Sequence, residues 1–250
     1  MGGSGFDLSG RVVAITGASA GLGEATAYAC AGAGAKVAVA ARREERVRSV
    51  AEKIRADGGQ AEAFTADVGD EAEANRFIRQ THERFGRLDV LVNNAGAASA
   101  EPVDGASTGK WREMLHTNTW GVLYCTHAAL PLMREAGEGH IVNVSSLSGH
   151  RALAGTAVYS LTKFGLRGFS EALRQEVAGS GIRVTVIEPG LFATEHHGHG
   201  ADDPLFRTVG QVEGLPPRVF GEAVVFVISQ PPEVNVGQLN IFPTADMRPQ

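Results

Sequence analysis

The sequence predicts an α/β fold in which a parallel sheet of about seven strands is covered by helices on both faces. Three observations carry this. Short runs rich in β-branched residues alternate with segments of helical period along the chain. The runs are apolar almost throughout rather than at every second residue, as strands buried on both faces require. A glycine-rich turn joins the first run to the first helical segment.

Taken in order, residues 11–16 (RVVAIT) read as the first strand and 21–33 as an Ala-rich helix. KVAVA at 36–40 is the second strand, and the helix over 44–56 places Val47, Val50 and Ile54 on one face. Residues 61–65 form the third strand. Asp70 and Glu73 have capping-box spacing, and Ala74, Phe77, Ile78 and Phe85 make the buried stripe of the following helix. LDVLV at 88–92 is the fourth strand, and a long helical stretch covers roughly 108–135. HIVNVS at 140–145 is the fifth strand, followed by a helix over 157–178. IRVTVI at 182–187 is the sixth, a helix covers 217–229, and QLNI at 238–241 is the last strand. No linker or low-complexity stretch interrupts the alternation, so 1–250 reads as one domain, a size at which a single core still grows.

Composition excludes several function classes. Lys and Arg number 23 against 28 Asp and Glu, a net charge of −5, so no basic face for nucleic acid is expected. No stretch approaches the ~20 apolar residues of a membrane span, and the first residues hold no apolar run of signal-peptide length. Cys30 and Cys125 lie in apolar helical stretches without a CxxC pattern. They read as small buried hydrophobes in a reducing compartment, which makes a cytoplasmic location the expectation.

Two constellations carry chemistry. The turn TGASAGLG at 16–23 sits between a strand and a helix, with glycines at 17, 21 and 23. Backbone without Cβ can approach a pyrophosphate closely, and the helix start offers N–H groups and a positive dipole end. A tight turn without ligand would have the same look; the βαβ context is what favours the anion. The second constellation is Tyr159 and Lys163, four apart on one helix face. A free phenol has a pKa of about 10 and is a poor base near neutrality. A nearby ammonium favours phenolate, which makes a tyrosine usable as a proton donor and acceptor. Such a pair also fits a buried ring with a snorkelling lysine. Ser146, which closes an apolar strand thirteen residues upstream, favours the chemical reading, because open α/β sheets place their sites at strand ends.

Together these residues resemble the short-chain dehydrogenase/reductase family, whose fold is a Rossmann-type doubly wound sheet. The spacing G-x-x-x-G-x-G, NNAG at 93–96, Asn118, Ser146 in NVSS, Y-x-x-x-K, and Pro189–Gly190 with Thr194 four residues beyond all match, in order, over nearly the whole chain. The resemblance implies interconversion of a carbonyl and an alcohol on a small to medium-sized molecule, with a nicotinamide cofactor. By resemblance, Ser146 polarises the substrate oxygen, Tyr159 is the acid/base, and Lys163 lowers the Tyr159 pKa and holds the nicotinamide ribose. Asn118 keeps a water in the proton relay behind Lys163. Ser145 is the rival for the serine role; the family's interval to the tyrosine selects Ser146. Gly17, Ser19, Gly21, Leu22 and Gly23 are implied at the cofactor phosphates, Asp67 and Val68 at the adenine, and Asn94, Ala95 and Gly96 elsewhere along the cofactor. Pro189 and Gly190 are implied to bind the cofactor, and Thr194 to meet the nicotinamide amide. Association as a homodimer or homotetramer through the helices at 108–135 and 157–178 is also implied.

Folds of this type read the 2′ position of the adenosine ribose just after the second strand. Here the strand runs into Ala41, Arg42 and Arg43, with no carboxylate to accept a ribose hydroxyl. The planar fork of Arg42 suits a phosphate, which favours NADP over NAD. Alternatively Arg42 and Arg43 are solvated residues at a helix start, and Ala20 stands where many NADP-using relatives carry a basic residue.

Residues 191–215 are expected to form a substrate lid. His196, His197 and His199 have no partner carboxylate at ligand spacing, so no metal is expected. Ser148, His150, Leu153 and Phe192 are expected to line the substrate pocket, giving an apolar wall with His150 as a polar end. An exposed loop histidine is the simpler reading of His150. The segment 231–244 and AARREER resemble a bacterial branch of the family that includes clavulanic acid dehydrogenase, with Phe242 where an Arg is usual. Two other classes compete. An idle dinucleotide-sensing scaffold would be expected to lack the tyrosine or lysine, and epimerising or dehydrating relatives are usually longer, with another glycine pattern.

Overall fold

The computed structural model describes residues 6–195 and 212–245. Seven strands are described: β1 (Val12–Thr16), β2 (Lys36–Ala41), β3 (Gln60–Thr65), β4 (Val90–Asn93), β5 (Gly139–Val144), β6 (Ile182–Pro189) and β7 (Gln238–Ile241). They form one parallel sheet in the order β3-β2-β1-β4-β5-β6-β7. The order reverses between β1 and β4, where open α/β sheets bind their ligands. The helices are α1 (Gly21–Gly32), α2 (Glu44–Ala56), α3 (Glu71–Phe85), α4 (Thr108–Leu115), α5 (Gly121–Ala136), α6 (Ala157–Glu176) and α7 (Pro217–Ile228).

The strands are apolar throughout because each feeds two cores. Val13, Ile15, Val37 and Val39 pack on one face with buried residues of α1, α2 and α7. Ala14, Ala38, Leu91 and Ile141 face the other way, against buried residues of α3, α5 and α6. Alternate residues point to opposite faces, so a sheet covered twice needs both sets apolar. Cys30 and Cys125 are part of these cores, and burial pushes both thiols up to about 12, which leaves them unreactive.

Buried side-chain amides then tie the centre of the sheet to its helices. Asn93 Nδ2 donates to Asn143 Oδ1 at 2.9 Å and to Thr126 Oγ1 at 3.1 Å, and Asn143 Nδ2 donates to Ser170 Oγ at 2.9 Å. In that interior such bonds are costly to leave unmade, so they fix β4 and β5 against α5 and α6 just below the site.

Two elements differ from expectation. The capping box at α3 is only half made: Asp70 accepts from the Glu73 N–H at 2.9 Å, but the Glu73 carboxylate reaches past Asp70 to the Asp67 N–H at 2.7 Å. The long helix expected over 108–135 is interrupted by a π-helical turn, His116–Trp120, between α4 and α5. The chain packs closely just after this turn, since a Cβ on Gly121 would lie 2.8 Å from Val68 Cγ2. Outward, α4, the turn and α6 expose Leu115, Trp120, Leu161 and Phe164. Among the described residues, no helix is long and apolar enough to cross a membrane.

Candidate active site

The C-terminal ends of the central strands surround a cavity of about 480 Å³. Gly17 and Gly21 of the turn after β1 both have left-handed φ, +66° and +60°, which glycine adopts without a Cβ clash. A Cβ on Gly17 would fall 2.6 Å from Ala95 Cα, and one on Gly23 only 2.4 Å from Asn94 Nδ2. The turn is therefore pressed onto the segment after β4, and Asn94 Nδ2 clasps it by donating to Thr16 O at 2.9 Å and Gly17 O at 3.2 Å. Gly17, Ser19, Gly21 and Leu22 line the cavity, whereas Gly23 serves the packing and does not. The N-cap of α1, Ala20, makes no side-chain cap, so the dipole end of this helix is offered to the cavity.

At one end lie Ala41, Arg42, Arg43, Asp67 and Val68. Arg42 turns to Glu113 on α4, at 3.4 Å. Arg43 is the guanidinium that reaches back over the glycine turn: its Nε and Nη2 donate to Ser19 Oγ at 3.1 and 3.0 Å. Its Nη1 donates to Glu195 at 3.1 Å, and Arg46 holds the other oxygen of that carboxylate at 2.9 Å. Asp67 accepts from the Gly69 N–H at 3.1 Å.

At the other end are Ser146, Tyr159 and Lys163. Ser146 follows β5 and caps a short 3₁₀ turn, Leu147–Gly149, by accepting from the Ser148 N–H at 3.1 Å. Its hydroxyl faces the Tyr159 side chain, near enough to favour the phenolate. Ser145 turns away, donating to the Lys163 carbonyl at 3.2 Å, so the geometry brings Ser146 to the tyrosine. Lys163 is buried; its Nζ donates to Val144 O at 2.9 Å and lies 5.7 Å from the Tyr159 ring centre. Burial pushes this lysine down to about 8. The expectation that Lys163 lowers the Tyr159 pKa meets a correction here: burial pushes the phenol up, and the Ser146 hydroxyl only partly opposes it. Desolvation acts on both groups, and the ammonium is aimed at the Val144 carbonyl rather than at the phenol.

Asn118 sits in the π turn, but its side chain is committed to protein. Oδ1 accepts from the Ala97 N–H at 2.7 Å, and Nδ2 donates to Ala97 O at 2.9 Å and Thr162 Oγ1 at 3.1 Å. It thereby locks the segment after β4 to α6, beside Tyr159. A π turn shifts such a residue out of helical register and is often found at functional sites.

Asn94, Ala95, Gly96, Pro189, Gly190, Phe192 and Thr194 line the cavity, as does Ser148. His150 and Leu153 are not brought to it. The His150 ring turns to the fully buried Glu188 of β6, which also pairs with Arg167 at 3.2 Å, and to Gln238 Nε2 at 2.6 Å. The polar pocket end expected of His150 is thus replaced by a structural contact, because a buried carboxylate needs compensating donors. Sequence reasoning gave the phosphate to Arg42, whereas the fold turns Arg42 to Glu113 and Arg43 to the glycine turn, and it passed over Glu195 and Glu188. A glutamate closing an apolar strand in VIEPG was the available signal for the last. His196, His197 and His199 lie outside the described residues, and no cluster of metal-ligating side chains occurs among those described.

Comparison with known proteins agrees with this geometry. The family model for short chain dehydrogenase matches residues 11–204. An uncharacterized oxidoreductase of Staphylococcus saprophyticus is 35% identical over 243 residues, 96% of this chain and 98% of the relative. The closed form of a serine dehydrogenase complexed with NADP+ superposes with a TM-score of 0.85 at 36% identity, covering 93% of this chain and 95% of that one. A metagenomic short-chain oxidoreductase in complex with NADP gives 0.81 at 30% identity, over 95% of this chain and 98% of the other. With the glycine turn, the strand order and the serine–tyrosine–lysine set in one cavity, the chain belongs to the short-chain dehydrogenase/reductase family of oxidoreductases.

Proposed function

We propose that this oxidoreductase uses NADP(H) to interconvert an aldehyde or ketone and its alcohol, with Tyr159 as the proton-transfer group. One observation carries the reading: the Ser146–Tyr159 pair, with Lys163 buried beside it, stands at the opposite end of the cavity from two arginines that follow a β2 ending in Ala41 rather than a carboxylate. The residues fit the cofactor: an uncapped helix start for the pyrophosphate, Ser19 and Arg43 for the 2′-phosphate, and Lys163 and Asn94 for the nicotinamide ribose. When bound, the nicotinamide supplies or accepts the hydride. In reduction, Ser146 donates a hydrogen bond to the carbonyl oxygen. Tyr159 gives that oxygen its proton as negative charge develops there. Lys163, donating to Val144 O beside the phenol, is placed to hold the ribose rather than to tune the phenol. Asn118 acts as a positioning residue through Ala97 and Thr162.

The substrate end is lined by Ala97, Ala98, Leu147, Ser148, Leu191 and Phe192. Among these, none is charged, which favours a neutral small to medium-sized carbonyl compound. The exposed apolar side chains along α4–α6 support a homodimer or homotetramer, whose size light scattering reads directly. The two buried thiols support a cytoplasmic location.

Arg43→Ala tests the cofactor assignment. Its kcat/KM for NADPH is expected to fall about tenfold or more, with NADH within about twofold, because a charged donor to a phosphate is lost. Arg42→Ala is expected to do less, since Arg42 is turned to Glu113. A wild type that prefers NADH, with Arg43→Ala harming neither cofactor, would overturn the assignment.

A further inference from the structure

Four side chains meet where the end of β2, the glycine turn and the segment after β6 converge. Arg43 spends two nitrogens on Ser19 Oγ and its third on Glu195. Arg46, one helical turn along α2, holds the other Glu195 oxygen. The carboxylate thus occupies the charge-paired position between two guanidiniums, inside the lining of the cavity. These arginines hold the Glu195 carboxyl below the usual carboxylate range. Glu195 directly follows Thr194, whose Cγ2 would lie 3.2 Å from a Cβ on Gly21, so the segment lies across the phosphate-binding turn.

We propose that Glu195 is a specificity-determining residue of the cofactor site: its carboxylate takes the place of the 2′-phosphate on Arg43, and NADP(H) binds by displacing it. The proposal rests on the NADP(H) reading above. A phosphate near neutral pH carries more charge than a carboxylate and offers three acceptor oxygens, so it outcompetes Glu195 for the guanidinium fork. The displaced pairs are half exposed, at 50% and 53% for the Arg43 and Glu195 side chains, so their loss is a small penalty that lowers affinity without abolishing it. NADH has no phosphate to compete, leaves the Glu195–Arg43 pair intact, and is insensitive to it. Glu195 therefore narrows the preference for NADPH that Arg43 and Ser19 create.

Calorimetric titration of the wild type and Glu195→Gln with NADPH, NADH, adenosine 2′,5′-bisphosphate and adenosine 5′-phosphate tests this. Glu195→Gln is expected to tighten NADPH and the bisphosphate by about three- to fivefold, and to leave NADH and the monophosphate within about twofold. Added salt is expected to shrink the difference between the proteins. The residue is solvent-facing, and a melting curve confirms that the variant folds. Unchanged or weaker NADPH binding in Glu195→Gln, with the wild-type preference for NADPH present, overturns the proposal and leaves the cofactor reading standing. Glu195 would then merely hold Arg43 in place. A wild type without NADPH preference overturns both.

Discussion

Tyr159→Phe is expected to fold, to bind NADPH as the parent does, and to lose about 10²- to 10⁴-fold in turnover. The ring that packs in α6 stays, and only the hydroxyl that meets Ser146 is removed. Paired cofactor titrations and steady-state rates separate the two effects. Retained turnover would place the proton donor elsewhere. The same residue sets a pH dependence. Burial raises the phenol, so its deprotonated form, which alcohol oxidation needs, is scarce near neutrality. Oxidation is expected to gain kcat/KM as pH rises through the alkaline range. Reduction needs the protonated form and is expected to fall over that range.

Lys163→Met is expected to stabilise the protein at neutral pH while removing most of its activity. Lys163 gives up its proton at about 8 when folded, against 10.5 for the ordinary side chain. Between those values the unfolded chain holds more protons, so the wild-type fold gains stability as pH rises through that window. Below it, the buried ammonium carries a penalty on the order of 3 kcal/mol. Methionine removes the penalty and forfeits one hydrogen bond to Val144 O, worth about 1 kcal/mol. A net gain of roughly 2 kcal/mol at pH 7, disappearing toward pH 10.5, should be visible in denaturant titrations at both pH values. An equal difference at the two pH values would mean that Lys163 is not desolvated as the structure has it.

The strands were legible because burial on both faces leaves an unbroken apolar run, as in VVAIT or VLVN, bounded by glycine or polar residues. The glycine turn and the Tyr159–Lys163 spacing were legible because backbone conformation and helical period are local properties. Features set by tertiary packing were not. HTNTW contains no proline or glycine, and nothing local in it marks the π turn it forms, against which Gly69 of another loop is closely packed. Nor does sequence say which of two adjacent arginines turns back. Arg42 and Arg43 are equivalent on paper, and only the fold sends Arg43 to Ser19 and Arg42 to Glu113. His150 was drawn to the site by its nearness to Ser146 in sequence, but Glu188, on the neighbouring strand β6, claims its ring.

The most direct test of the account follows deuterium from the nicotinamide ring of labelled NADPH into the alcohols formed from a panel of neutral aldehydes and ketones. The account predicts label on the carbinol carbon of at least one product, and a much slower transfer from equally labelled NADH. Binding of NADPH without transfer of label to any carbonyl compound, or transfer from NADH at an equal rate, would contradict it.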